Sequence, residues 1–159
     1  MQSKYITSLL QQIKLNANGR MISVAESCTG GLLASYLTQE VGSSNFFTGG
    51  VISYSNESKV KLLNVSISNL STYGAVSEEV AREMASGCQD QFNSDISISI
   101  TGIAGPDSDI SSKPVGMVCF AVNNCKIVQS FTKYFKGNRL QVRQQSCVFA
   151  LELIIDNLI

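Results

Sequence analysis

The 159-residue chain contains no histidine. A serine or cysteine nucleophile in it therefore needs some other proton acceptor, because imidazole is the usual one. The absence also removes the histidine ligands of a zinc site, and the five cysteines include no CxxC pair to replace them. An odd cysteine count without that spacing argues against a disulfide framework and for a reducing cytoplasm. Charge of either sign is not in excess: 12 basic and 12 acidic residues cancel. That balance gives no electrostatic reason to expect nucleic acid or an anionic membrane as partner. No apolar run approaches the ~20 residues that span a bilayer. The opening MQSKYITSLLQQIK lacks the long apolar stretch of a signal peptide. A soluble cytoplasmic protein is expected. Without repeats, low-complexity tracts or linkers, residues 1–159 read as one domain, able to bury roughly two-thirds of its unfolded surface.

Apolar spacing predicts a first helix over 3–15 and a last one over 138–158. Between them, 21–26 reads as a short buried strand, 30–40 as a helix and 50–55 as a second strand. Asn56 is placed as the cap of a short helix carrying Lys59, and Ser77 as the cap of SEEVAREMASGCQDQF. Serine and isoleucine alternate over 95–101, as in a strand with unlike faces. Residues 117–122 and 126–134 form a hairpin whose turn is expected at Asn123-Asn124. Helices alternating with strands imply a sheet covered on both faces, and the hairpin makes that sheet mixed: a three-layer α/β/α sandwich.

Four stretches carry chemistry. In 26-ESCTGG-31 a strand turns through small residues into a helix, and Ser27, Cys28 and Thr29 stand together. Backbone N–H groups at such a helix start suit a phosphate, a carboxylate or an oxyanion; the same residues also suit a plain capped turn. The position also favours a lowered thiol pKa for Cys28. In 53-SYSNESK-59, Lys59 falls in the first turn of its helix. There the dipole disfavours a cation, but by less than about one pKa unit, so burial has to do most of the work of neutralising it. In 100-ITGIAGPD-107 two glycines after a strand let backbone approach a ligand. In 137-GNRLQVR-143, Arg139 and Arg143 share a helix face, which suits an anion between them or acidic partners elsewhere.

Together with GGVISYSNESK, GAVSEEVA and KPVG, these blocks resemble the C-terminal domain of the CinA (competence/damage-inducible) family across essentially the whole chain. The resemblance is to its stand-alone form, the nicotinamide-nucleotide amidohydrolases of the PncC type, without the family's pyrophosphatase-like module. It implies hydrolysis of the carboxamide of nicotinamide mononucleotide, in cytoplasmic pyridine-nucleotide salvage, by a homo-oligomer (a dimer). No metal and no cofactor is implied. Carried onto this sequence, Ser27 is the nucleophile, Lys59 its base and Tyr54 an assisting group. Glu26, Thr29, Gly30, Thr101 and Gly102 fall at substrate-binding positions, and Arg139 or Arg143 at the 5′-phosphate.

One stretch departs from the family pattern. Ser108, Asp109 and Ile110 stand where the family has Gly-Gly-Thr before KPVG. Non-glycine residues resist φ > 0, and Asp109 would add a charge of the phosphate's own sign. Two alternatives follow: a pyridine-nucleotide-binding module without turnover, or a serine–lysine hydrolase for another small amide.

Overall fold

A computed structural model of the chain describes residues 2–108 and 110–159. They form one five-stranded sheet from β1 (Ile22–Glu26), β2 (Phe47–Ile52), β3 (Ile96–Gly102), β4 (Met117–Asn124) and β5 (Ile127–Tyr134). The strand order is β2-β1-β3-β4-β5. β1 runs parallel to β2 and β3, whereas β4 is antiparallel to both its neighbours. Helices α1 (Gln2–Asn16), α2 (Leu32–Leu37) and α6 (Arg139–Leu158) cover one face. On the other face lie α3 (Asn56–Leu63), α4 (Ile67–Tyr73) and α5 (Glu78–Phe92). The expected α/β/α sandwich on a mixed sheet is the fold. None of the helices in the described residues is long and apolar enough to cross a membrane.

The period-2 rule sorts the strand side chains between the two layers. Val24, Ile98, Ile100, Phe120 and Val122 pack with Leu9, Ile13, Leu33, Leu151 and Ile154 from α1, α2 and α6. Each such side chain, fully buried, contributes about 1.5–3 kcal/mol. The serines of β3 point the other way and are equally buried. Ser97 Oγ donates to the Ala85 carbonyl and Ser99 Oγ to the Ala81 carbonyl, each at 2.6 Å. Buried hydroxyls thus become rungs between sheet and helix. On its other side α5 meets α3 closely as well: a Cβ added at Gly87 would lie 1.9 Å from the Leu63 carbonyl oxygen at the end of α3.

Several boundaries differ from the sequence expectation for local reasons. Ser55, not Asn56, caps α3, accepting a hydrogen bond from the Ser58 amide. β2 therefore ends at Ile52 and begins earlier, at Phe47. Helix α2 is only six residues, because Gly31 enters it at φ 96° and Thr38 already leaves it. The hairpin turns at Cys125-Lys126, with φ of 50° and 73°, the left-handed pair that a tight hairpin needs. Asn123 and Asn124 lie inside β4. Helix α4, read from sequence as loop, is held by Glu83 of α5, whose carboxylate accepts from the Ser66 amide and the Asn69 side chain.

Ligand crevices in open α/β sheets lie beyond the carboxyl ends of the strands, where the chain switches direction. Here β1 sends the chain outward to β2 while β3 returns on its other side. The Ser27 turn and the loop after Gly102 leave those two strand ends side by side.

Candidate functional site

The Ser27 turn is built from behind. Glu26, the last residue of β1, is 1% exposed, and its carboxylate accepts from the amides of Gly31, Leu33 and Ala34. This carboxylate fills the start of α2 that the sequence offered to an external anion. Glu26 is a fixing point for the turn and does not line the cavity in front of it. Thr29, Gly30 and Arg143 are likewise outside the cavity wall. Arg143 Nη2 donates to the Thr29 carbonyl at 2.8 Å, and the Thr29 hydroxyl is buried without a partner among the described residues. These four positions, expected at the substrate, belong to the turn that presents Ser27 and its supports. Glu26 and Arg143 satisfy backbone groups that a sharp turn at a buried strand end would otherwise leave unpaired.

In front of the turn lies a cavity of about 280 Å³. Ser27, Cys28 and Lys59 line its floor, while Thr101, Gly102 and the loop through Gly105 form one wall. Ala75 and Val76 add a second, with Thr101 Oγ1 donating to the Ala75 carbonyl at 2.8 Å. Tyr54, Asp107, Ser108 and Arg139 stand at its exposed mouth.

Lys59 is 1% exposed, reaching from the first turn of α3. Its Nζ donates to Ser27 Oγ at 3.0 Å, to the Ser53 carbonyl at 2.8 Å and to the Tyr54 carbonyl at 3.3 Å. No carboxylate lies among its partners within the described residues. Burial pushes the ammonium pKa down from 10.5 to about 8, with a small opposing effect from Cys28. The Cys28 thiol is not lowered as its place in the turn suggested. Burial, reinforced by Glu26, pushes it up to about 12. At neutral pH it stays a thiol and a poor nucleophile.

Tyr54 contributes its main chain to Lys59, while its side chain is 60% exposed at the mouth. There its hydroxyl accepts from Arg139 Nη2 at 3.0 Å, and Arg139 Nη1 donates to the Gly105 carbonyl at 2.7 Å. Of the two arginines, only Arg139 borders the cavity. Asn138 caps α6 in a reciprocal capping box with Gln141, which fixes the turn that carries Arg139. Sequence reasoning missed the Ser53 carbonyl and the Ala75–Val76 wall. A carbonyl leaves no residue signature, and the wall depends on the unanticipated α4. In the departing loop, Ser108 borders the cavity and Ile110 is fully exposed; Asp109 lies outside the described residues.

A hydroxyl hydrogen-bonded to a buried amine, beneath a polar-mouthed cavity, can form and break acyl bonds without a metal or an imidazole. Comparison with known proteins places this arrangement. The CinA C-terminal domain matches residues 6–158. The chain belongs to that family. A CinA-like protein of Syntrophomonas wolfei is 51% identical over 136 residues, covering 86% of this chain but 33% of that protein. One from Mycobacterium avium is 47% identical over 141 residues, 86% of this chain and 32% of that protein. The chain thus spans about a third of the length of these relatives. Solved structures match over nearly their whole length. A competence or damage-inducible protein from Enterobacter asburiae superposes with a TM-score of 0.94 at 32% identity, covering 97% and 98% of the two chains. A competence/damage-inducible protein from Agrobacterium tumefaciens gives 0.91 at 36% identity, covering 96% and 95%. Shared CinA fold and shared chain length place the Ser27 cavity within a CinA domain; none of these names states a substrate.

Proposed function

We propose that this CinA domain hydrolyses the carboxamide of nicotinamide mononucleotide to nicotinate mononucleotide and ammonia, with Ser27 as nucleophile and Lys59 as base. The observation that carries the reading is the 3.0 Å hydrogen bond between Ser27 Oγ and a buried, unpaired Lys59 Nζ. A neutral amine has two hydrogens and one lone pair. The Ser53 and Tyr54 carbonyls can only accept, so they take the two hydrogens. The lone pair is left facing Ser27, the one partner able to donate. With a lysine pKa of about 8, about a tenth of the amine is in that form at pH 7.

Attack by Ser27 Oγ on the amide carbon passes its proton to Lys59 and gives a tetrahedral oxyanion. The amides of Cys28 and Thr29, next along the turn, donate to no other residue among the described ones and are the donors closest in sequence to that charge. Collapse expels ammonia, which takes the proton back from Lys59, and leaves an ester on Ser27. A water deprotonated by the same amine hydrolyses the ester and releases the carboxylic acid. Arg139, at the mouth, binds the 5′-phosphate; its guanidinium already faces Tyr54 and the Gly105 carbonyl. A neutral total charge fits a small nucleotide rather than nucleic acid as the partner.

Ammonia release from nicotinamide mononucleotide by the purified protein tests the reading. Silence from fresh protein, with and without divalent cations, would sink it. A binding module without turnover would have no use for the Ser27–Lys59 geometry.

A further inference from the structure

Resting on that reading, we infer that the cationic ring of the substrate and the proton on Lys59 exclude one another, so that binding the substrate discharges the base that attacks it. Lys59 Nζ lies 3.0 Å from Ser27 Oγ. In a reactive complex that oxygen stands about 3–3.5 Å from the amide carbon, which is bonded directly to the pyridinium ring. The quaternised ring is thereby held roughly 6 Å from Nζ. Two positive charges that close at a cavity floor disfavour each other by about a hundredfold.

Among the described residues no carboxylate pairs with Lys59 Nζ, whose partners are a hydroxyl and two carbonyls. The turn after β1 presents the neutral Ser27 and Cys28, and the start of α3 presents two carbonyls. Helix α5, packed on α3, supplies Val80, Met84 and the buried thiol Cys88 beside Leu63. Its acids are engaged elsewhere: Glu83 with Ser66 and Asn69, Glu79 with Arg82, Glu78 with Ser130 and Thr132. At the mouth stand Arg139, a further cation, and Asp107, the one carboxylate among the described residues that line the cavity. Asp107 makes no ion pair or hydrogen bond with Lys59 among the described residues.

The proton balance is simple. Free protein with Lys59 as ammonium takes up the cationic nucleotide, Lys59 becomes the neutral amine, and one proton leaves through the open mouth to solvent. A neutral pyridine carboxamide lacks this effect: a quaternised ring gains at the catalytic step what it loses in binding to the protonated site.

Two measurements test it. In wild-type protein, the acidic limb of kcat/KM reports free Lys59 and that of kcat reports the complex. The kcat limb is expected one to two pH units lower. Coincident limbs would overturn the inference while leaving the amidohydrolase reading intact. In the Ser27→Ala protein, calorimetry in buffers of different ionisation enthalpy counts protons released on binding. Nicotinamide mononucleotide is expected to release roughly half a proton or more at pH 7. Its reduced form, with the same phosphate but an uncharged ring, should release far less, and Lys59→Met should abolish the difference. Equal release by both forms overturns the inference. Failure of the wild-type protein to release ammonia or to bind either nucleotide overturns the amidohydrolase reading itself, and the inference with it.

Discussion

Lys59 Nζ bridges Ser27 Oγ at 3.0 Å and the Ser53 carbonyl at 2.8 Å, so one buried amine ties the nucleophile turn to the end of β2. In the proposed mechanism neither partner works without the other. Ser27→Ala and Lys59→Met are each expected to lower kcat on nicotinamide mononucleotide by about 10³-fold or more, and the double variant by little further. Cys28→Ala should keep most of the activity, because a thiol held at about 12 supplies no thiolate. Steady-state ammonia release measures all four proteins. Loss on Cys28→Ala with retention on Ser27→Ala would move the nucleophile by one residue.

A buried lysine also marks the stability curve. Unfolded, Lys59 titrates near 10.5; folded, it titrates at about 8. Between those values the unfolded chain holds the extra proton, so native stability rises with pH across that window. Below about pH 8 the full penalty of about 3 kcal/mol is present. Lys59→Met removes the titration and leaves other groups unchanged. The stability of Lys59→Met relative to wild type should therefore fall by about 2–3 kcal/mol between pH 7.5 and 10. Urea unfolding of both proteins at the two pH values checks this. A difference independent of pH would mean that Lys59 titrates normally.

Much of this was legible in sequence because it is encoded locally or by exclusion. The missing histidine called for another proton acceptor, the family resemblance pointed to Lys59, and the structure brings its amine to Ser27. Strand and helix types followed from periodicity. What could not be read is non-local or carried by main chain. Glu26 looks like a cavity residue until its three amide partners on α2 are seen. Arg139 and Arg143 look equivalent on a helix, yet one reaches the cavity mouth and the other the Thr29 carbonyl. The burial of both faces of β3 depends on α5 closing over serines that alone would suit water. Helix α4, ISNLSTY, is too short to show a period clearly, buries no residue fully and is fixed by Glu83 of α5.

Glu26→Gln keeps the shape of the side chain but has a single acceptor oxygen where the carboxylate uses two. At least one buried amide among Gly31, Leu33 and Ala34 loses its partner. Such a loss costs about 1–3 kcal/mol, or a fall in Tm of several degrees in a domain of this size. Because the turn carries Ser27, kcat should fall more than KM rises. A Glu26→Gln protein with unchanged kcat but a greatly raised KM would return Glu26 to the substrate-binding role.

The two arginines separate in the same way, by what each guanidinium touches. Arg139 borders the cavity and, among the described residues, holds Tyr54 Oη and the Gly105 carbonyl, so its substitution should act mainly on binding. Arg139→Lys removes the fork that grips a phosphate while keeping the charge. The expected result is a KM for nicotinamide mononucleotide raised about 10- to 100-fold with kcat within a few-fold, in line with about 1.5–3 kcal/mol for a charged hydrogen bond. The non-phosphorylated riboside should lose far less. Arg143→Lys should instead lower Tm and kcat together, because the Thr29 carbonyl loses a donor that a lysine cannot place with the same geometry. If Arg143→Lys raised KM for the nucleotide and Arg139→Lys did not, the phosphate would sit on the far side of the turn, and the bound nucleotide would have to enter over Gly30 rather than past Tyr54.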